Sequence, residues 1–311
     1  MTESSTRLYR GRFAPSPTGP LHFGSLLAAT ASYLQAKQQQ GQWLLRIEDL
    51  DPPREVPGAA EAFLYTLEAF GFEWDGEVCW QSRRLDHYEA ILDELLQQGL
   101  AYRCACSRKA ITQQAEQLGL QAGIYRGHCR SRHISAHQQH AVRLLTEGAR
   151  IRFVDAVQGE IQQDLDREVG DFVLRRADGF IAYQLAVVVD DAAHGITEVV
   201  RGSDLLDSTP RQIFLQQQLG YARPDYLHLP VAVNPQGQKL SKQSFAAAIS
   251  PADALHSLWQ ALNFLGQQAP VELLDGGRDD LWRWAREHWQ AQAIPRKLAI
   301  PYPSESPSNE H

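Results

Sequence analysis

The sequence predicts an α/β protein: a parallel sheet flanked by helices, interrupted by a smaller mixed α/β module and followed by a short helical tail. Three observations carry that expectation. Residues 9–47 read as strand, turn, helix and strand, the βαβ unit from which parallel sheets are built. The unbroken apolar run Leu185-Ala186-Val187-Val188-Val189, ending in Asp190-Asp191, has the character of a buried parallel strand. Between the two lies a Cys- and Arg-rich stretch that interrupts the pattern.

Taken in order, residues 9–13 form the first strand, ended by Pro15 and Pro17. Residues 25–40 form a helix, because Leu26, Leu27, Ala29, Tyr33 and Leu34 give a broad apolar face and Gly41 stops it. Residues 43–47 are a buried strand running into Glu48-Asp49, and helices follow near 58–70 and 84–98, each closed by a glycine. Residues 151–154 and 172–175 are strands of a separate mixed module. Sheet character returns at 185–189, 196–201 and 226–233, with a helix at 209–219 between the last two. Helices near 251–265 and 280–290 make the tail, and the Pro- and Ser-rich residues 295–311 are expected to be loose.

A chain of 311 residues with 43% hydrophobic residues exceeds one ordinary core, so a main domain with one or two smaller units is expected. Residues 1–7 lack the apolar segment of a signal peptide, and no apolar run reaches the roughly 18 residues of a spanning helix. The expectation is a cytoplasmic, monomeric protein with no membrane partner. A net charge of −7 argues against nucleic acid as a partner of the whole surface, but the charge is uneven. Arg103, Arg108, Lys109, Arg126, Arg130, Arg132, Arg143, Arg150 and Arg152 stand against only Glu116 and Glu147, a basic module of the kind that local phosphate contact requires.

Three short segments, far apart in sequence, suit one ATP. The first, Pro15-Ser16-Pro17-Thr18-Gly19-Pro20-Leu21-His22-Phe23-Gly24-Ser25, is a Pro- and Gly-ruled turn leading into a helix whose N-terminus offers free N–H groups to phosphate. Gly24 leaves room for a base or ribose against the backbone, and His22 can donate to a phosphate oxygen; the competing role for His22 is a helix cap. The second is Arg46-Ile47-Glu48-Asp49 at a strand end. The third, Lys239-Leu240-Ser241-Lys242, sets two ammonium groups around a hydroxyl, suited to the charge that builds on departing pyrophosphate. Neither GxxxxGK[ST] nor GxGxxG occurs. Of four cysteines, Cys104, Cys106 and Cys129 cluster while Cys79 stands apart. In a cytosolic chain, clustering suggests a metal rather than a disulfide. Three thiolates call for a fourth zinc ligand, with Tyr125, His128 and His133 as candidates, imidazole being the commoner chemistry.

These motifs resemble those of the class I aminoacyl-tRNA synthetases, glutamyl branch. His22-Phe23-Gly24-Ser25 stands where that class carries HIGH, and Lys239-Leu240-Ser241-Lys242-Gln243 where it carries KMSKS. Arg12-Phe13-Ala14-Pro15-Ser16-Pro17-Thr18-Gly19, Arg46-Ile47-Glu48-Asp49 and Val188-Val189-Asp190-Asp191 with Gly195-Ile196-Thr197 and Val200-Arg201-Gly202 are similar to the glutamyl rather than the glutaminyl forms. Ser25 replaces the second histidine of HIGH and Leu240 the methionine of KMSKS, the latter a volume-conserving change. The short stretch after Lys242 resembles the glutamyl-Q branch, which lacks an anticodon-binding domain.

The resemblance implies a Rossmann-type catalytic domain in two halves, residues 1–100 and 183–245. It also implies an inserted zinc-binding, RNA-contacting module over 101–182, and a helical C-terminal region over 246–311 without an anticodon-binding domain. It implies ATP with Mg²⁺, L-glutamate and queuosine-containing tRNA(Asp) as partners, and one structural Zn²⁺ held by Cys104, Cys106, Tyr125 and Cys129. His22, Lys239 and Lys242 would be catalytic, and Pro15, His22, Gly24, Ser25, Lys239, Ser241 and Lys242 would bind ATP. Arg12, Phe13, Ala14, Pro15, Ser16, Glu48, Tyr183 and Arg201 would bind glutamate, Glu48 facing its ammonium and Arg12 and Arg201 its carboxylates. Glutamate would be activated without tRNA and passed to a hydroxyl of the queuosine base. A minimal enzyme charging a tRNA 3′ end, and an inactive zinc-dependent RNA binder, remain the alternatives.

Overall fold

The chain begins its first layer with β1 (Arg10–Phe13), crosses through α1 (Phe23–Gln38) and returns as β2 (Gln42–Ile47), parallel to β1 with Gly11 opposite Trp43 and Phe13 opposite Leu45. This is a computed structural model describing residues 8–238 and 248–302, so Lys239, Ser241 and Lys242 lie outside the described residues. After α2 (Ala59–Ala69), β3 (Cys79–Trp80) joins the outer edge of β2 in parallel, and α3 (Leu85–Gln97) follows.

The mixed module then comprises β4 (Ala101–Cys104), α4 (Arg108–Gln117), β5 (Ala141–Leu144), β6 (Arg150–Asp155), β7 (Gly159–Asp164), α5 (Leu165–Glu168) and β8 (Val173–Arg175). Its pairings are antiparallel: β5 lies between β4 and β8, while β6 and β7 form a hairpin. Along β6, Ile151, Phe153 and Asp155 are buried while Arg150, Arg152 and Val154 are exposed, the period-two alternation of a one-sided sheet.

The parallel layer resumes with α6 (Tyr183–Ala193), β9 (Glu198–Gly202), α7 (Thr209–Gln218) and β10 (Asp225–Leu229), β9 and β10 pairing in parallel. Thr197, just before β9, donates its N–H to the carbonyl of Arg10 at 2.9 Å, which stitches this half to β1. β11 (Val231–Val233) follows, then α8 (Ala254–Phe264), α9 (Arg278–His288) and β12 (Ala299–Pro301), which pairs in parallel with β11.

Four expectations need correction. The apolar run at 185–189 is helical, not a strand: it forms the middle of α6, with Leu185, Ala186, Val187, Val188 and Val189 all at 1% exposure or less. A helix covered on all sides is apolar all round, so periodicity cannot separate it from a buried strand. Residues 226–233 are two strands, because Pro230 has no N–H to continue the ladder. Residues 295–302 are not loose, since Ala299 and Ile300 pair with Val231 and Ala232. Finally, the mixed module is not separately packed: Leu144, Ile151 and Phe153 share one core with Leu185 and Val187 of α6 and Leu215 of α7.

A second core joins the first layer to the helical tail. Tyr33, Trp43, Phe72 and Trp282 meet with ring centroids 5.0–5.5 Å apart, and the indole N–H groups of Trp282 and Trp289 donate to Phe70 O and Gln35 Oε1 at 2.9 Å each. Each large aromatic buries well over 100 Å² in such a cluster, so α9 is integral to the α1 side of the sheet.

Candidate active site

The carboxyl ends of β1, β2 and β9, the N-termini of α1 and α6, and the β10–β11 junction enclose one cavity of about 660 Å³. Arg12 and Phe13 reach it from β1, Ala14, Pro15 and Ser16 from the following turn, and His22, Gly24 and Ser25 from the start of α1. Glu48 reaches it just beyond β2, Tyr183 from the first turn of α6, and Arg201 from β9. All the sequence-derived nucleotide and amino-acid residues within the described residues thus converge. The proline turn is pinned to β2, Glu48 donating its N–H to Pro15 O at 3.0 Å.

His22 caps its helix and also faces the cavity. It is the N-cap of α1, its Nδ1 accepting the Ser25 N–H at 3.3 Å, and it also lines the cavity. An imidazole that accepts at Nδ1 carries its proton on Nε2, so the cap fixes which nitrogen can donate to an anion. Ala248 bridges His22, and Ile249 donates to Leu21 O at 3.0 Å, so the chain beyond residues 239–247 returns beside this histidine.

A buried ionic network stands behind Glu48. Arg12 donates to both oxygens of Asp191 at 3.1 and 3.3 Å, and Arg46 donates to Asp191 Oδ1 at 2.7 Å and to Glu48 Oε1 at 3.4 Å. Asp190, also buried, accepts from Gln81, Arg84 and Tyr88 at 2.6–2.8 Å. Two aspartates in the last turn of a helix oppose its dipole, and these arginines offset that cost. Burial pushes the Asp191 carboxyl up, but Arg12 and Arg46 outweigh it and hold it below the ordinary value. For Glu48 burial wins over Arg46 and Arg12, and its pKa is raised. Arg46 was not singled out from sequence as a site residue, although it lay in the Arg-Ile-Glu-Asp motif; only the fold shows that it holds α6 against β2.

Arg201 differs from Arg12 in its partners. It is 5% exposed, and its guanidinium donates only to neutral groups: His228 Nε2 at 3.1 Å, Tyr183 Oη at 3.2 Å, Thr209 Oγ1 and Gln212 Oε1 at 2.8 Å each, and Leu205 O at 3.4 Å. Among the described residues no carboxylate lies within ion-pair distance of it. A buried, rigidly held cation without a counter-charge is suited to an anionic group of a ligand. Cβ on Gly202, the next residue, would stand 2.4 Å from Asp204 Oδ1 and displace that side chain. Asp204, Leu205 and the β10–β11 junction also line the cavity, and their only advance signals were Gly202 and Pro230.

In the mixed module the sulfurs of Cys104, Cys106 and Cys129 lie within 4.8 Å of one another. The Tyr125 hydroxyl sits 3.3 Å from Cys104 Sγ and 3.4 Å from Cys106 Sγ. A tetrahedral zinc with bonds of about 2.3 Å to sulfur sets its thiolates about 3.8 Å apart, so the donor set fits. Tyr125 is buried, whereas His128 and His133 are exposed and His128 Nε2 faces Arg132 Nη1 at 3.1 Å. Burial pushes the Cys106 thiol up to about 11 and the Tyr125 phenol above its ordinary value, both of which a divalent cation would reverse.

Residues 9–262 match the family described as tRNA synthetases class I (E and Q), catalytic domain. The chain is 56% identical over 297 residues to the glutamyl-Q tRNA(Asp) synthetase of Dechloromonas aromatica (strain RCB), covering 95% of this chain and 99% of that one. It is 53% identical over 296 residues to the protein of the same name from Pseudomonas aeruginosa (strain LESB58), covering 95% and 98%. The chain belongs to the glutamyl-Q tRNA(Asp) synthetase family. Its fold is that of the class I synthetases: a glutamate tRNA ligase from Elizabethkingia meningosepticum CCUG26117, solved in complex with its amino acid, superposes with a TM-score of 0.78 at 25% identity over 96% of this chain and 68% of that one. No helix among the described residues is long and apolar enough to cross a membrane.

The basic stretch of this family member is more neutral than its sequence suggests. Arg126 pairs with Asp166, Arg130 with Asp171, Arg150 with Asp164 and Arg152 with Glu160, all acids from beyond residue 152. Arg143 donates to Asp171 O at 2.8 Å and stacks over the Tyr125 ring at 4.3 Å. Arg103, Arg108, Lys109 and Arg132 also form no ion pair among the described residues; the first three lie at the β4–α4 turn and Arg132 just past Cys129, so the free positive charge gathers near the cysteines.

Proposed function

We propose that the chain joins L-glutamate to ATP, forming glutamyl-adenylate without tRNA, and passes the glutamyl group to the queuosine base at the wobble position of tRNA(Asp). The observation that carries this reading is one cavity that holds a buried, charge-unbalanced guanidinium (Arg201), a carboxylate (Glu48) and a histidine-capped helix N-terminus. Those groups complement a carboxylate, an ammonium and a phosphate respectively. The names of relatives matched over nearly their whole length agree with it.

In this scheme Glu48 and Arg201 hold the amino acid at its ends, with the Tyr183 hydroxyl beside Arg201. Ser16, the Phe13–Pro15 backbone and Arg12 close the remaining side. The glutamate α-carboxylate oxygen attacks the α-phosphorus, the bond to pyrophosphate breaks, and no protein nucleophile is needed. His22 donates from Nε2 to the phosphate chain above α1, with Gly24 and Ser25 at the same terminus. Lys239, Ser241 and Lys242, which lie outside the described residues, are assigned to the departing pyrophosphate. Bound Mg²⁺ would supply further charge neutralisation. One structural zinc on Cys104, Cys106, Tyr125 and Cys129 would brace the module over residues 101–182, whose Arg103, Arg108 and Lys109 would meet RNA phosphates.

The test is transfer of labelled glutamate to tRNA(Asp) with and without queuosine, alongside ATP–pyrophosphate exchange without tRNA. Transfer only to the queuosine form, with exchange in the absence of tRNA, is expected. Equal transfer to both forms, or label at the 3′ end, would replace this reading with the minimal synthetase.

A further inference from the structure

Arg201 is held from outside the cavity by a chain of two buried side chains that the reaction scheme does not use. His228, in β10, is the nearer of the two and Asp155 the farther: His228 Nδ1 is 2.6 Å from Asp155 Oδ2 and its Nε2 is 3.1 Å from Arg201 Nε. Both His228 and Asp155 are at 1% exposure or less. Asp155 closes β6, so the carboxylate at the far end of the chain comes from the mixed module.

The protons in this chain are dictated by its ends. A guanidinium N–H can only donate, so His228 Nε2 must accept, and a neutral imidazole then carries its proton on Nδ1, where Asp155 receives it. The other oxygen of Asp155, Oδ1, is occupied by three backbone N–H groups: Val157 at 3.0 Å, Gln158 at 2.8 Å and His228 at 3.2 Å. Gln158 adds a bond from Nε2 to His228 O at 2.9 Å, so the tip of the β6–β7 hairpin is docked on β10. The neutral imidazole acts as a spacer. It fixes the arginine without placing a carboxylate on it, which would compete with an anionic ligand for the same charge.

We infer that Asp155 and His228 are positioning residues for Arg201, through which the β6–β7 hairpin sets the affinity of the cavity for glutamate. The inference rests on the assignment of Arg201 to a carboxylate of the amino acid. It gives the mixed module a part in the first half-reaction as well as any contact with RNA.

The test is Asp155→Asn in the full chain. Three backbone donors keep the amide oxygen where Oδ1 now sits, so the amide NH₂ faces His228 Nδ1. The imidazole must then carry its proton on Nε2, which the Thr209 hydroxyl at 3.1 Å can accept but Arg201 Nε–H cannot, so the bond that holds the guanidinium is lost. In tRNA-independent ATP–pyrophosphate exchange the KM for L-glutamate is expected to rise at least about tenfold while the KM for ATP stays within about twofold. An unchanged glutamate KM in the folded variant, or an equal rise in both KM values, overturns the inference.

Should the variant fail to fold, ¹⁵N-histidine labelling of the wild-type protein decides. The His228 signal, assigned by its loss in His228→Gln, is expected to show the Nδ1–H tautomer; Nε2–H, or a doubly protonated ring at neutral pH, overturns it. Arg201→Gln separates the two levels. If that variant keeps its glutamate KM, the assignment of Arg201 falls; if it loses glutamate while Asp155→Asn does not, only the positioning chain falls.

Discussion

Arg46 Nη1 lies 2.7 Å from Asp191 Oδ1, joining β2 to the last turn of α6 by a pair of buried side chains. The same aspartate also holds Arg12, while Arg46 extends to Glu48. One carboxylate therefore aligns two elements of the sheet layer and a cavity residue from each.

Asp191→Ala leaves two buried guanidinium groups short of their counter-charge. It should destabilise the protein by roughly 3 kcal/mol or more, read as a lower urea midpoint at unchanged m-value. A midpoint within error of wild type would mean that the pair contributes nothing net.

Glu48 should give glutamate binding a pH dependence. Its carboxyl binds an ammonium only when ionised, and burial raises its pKa above that of an exposed glutamate despite Arg46 and Arg12. As pH falls, Glu48 therefore takes up its proton earlier than an ordinary carboxyl. The KM for L-glutamate should climb on that limb while the KM for ATP changes less. A glutamate KM flat down through the ordinary carboxylate range would contradict this.

The two roles of His22 can be separated. His22→Asn keeps an oxygen able to cap α1 and should melt near wild type, whereas His22→Ala should lose about 1 kcal/mol with the cap. Both should slow ATP–pyrophosphate exchange by roughly 10²–10³ through loss of the Nε2 donor, which the shorter asparagine amide does not replace. Full exchange in the asparagine variant would reduce His22 to a cap.

One zinc per chain is expected by elemental analysis of the purified protein, and Cys129→Ser should abolish it. Tyr125→Phe should weaken retention of the metal against a chelator by at least about tenfold, and His128→Ala should not. The reverse ranking would move the fourth ligand to the histidine.

Gly170 holds the same site from behind, with φ at +72° and its α-carbon against Tyr125, where an added Cβ would stand 2.3 Å from the carbonyl oxygen. Gly170→Ala should displace Tyr125 and cost more than about 1 kcal/mol, read as lower thermal stability together with faster zinc loss.

The sequence by itself determined the family motifs: a proline turn with a histidine, a strand-end Arg-Ile-Glu-Asp and an arginine beside a glycine are local patterns, legible before any fold is known. It also determined the cysteine cluster and most helices, because caps, glycine stops and 3.6-residue periodicity are short-range. Only the tertiary structure decided that residues 185–189 are a helix, since a segment covered on every side has no polar face to reveal its period. Only it decided that four arginines of the basic stretch are neutralised by acids from later in the chain, and that Arg12 pairs with Asp191 while Arg201 meets no carboxylate among the described residues. Those outcomes depend on which groups meet across long separations in sequence, and partnership at a distance leaves no mark on local composition.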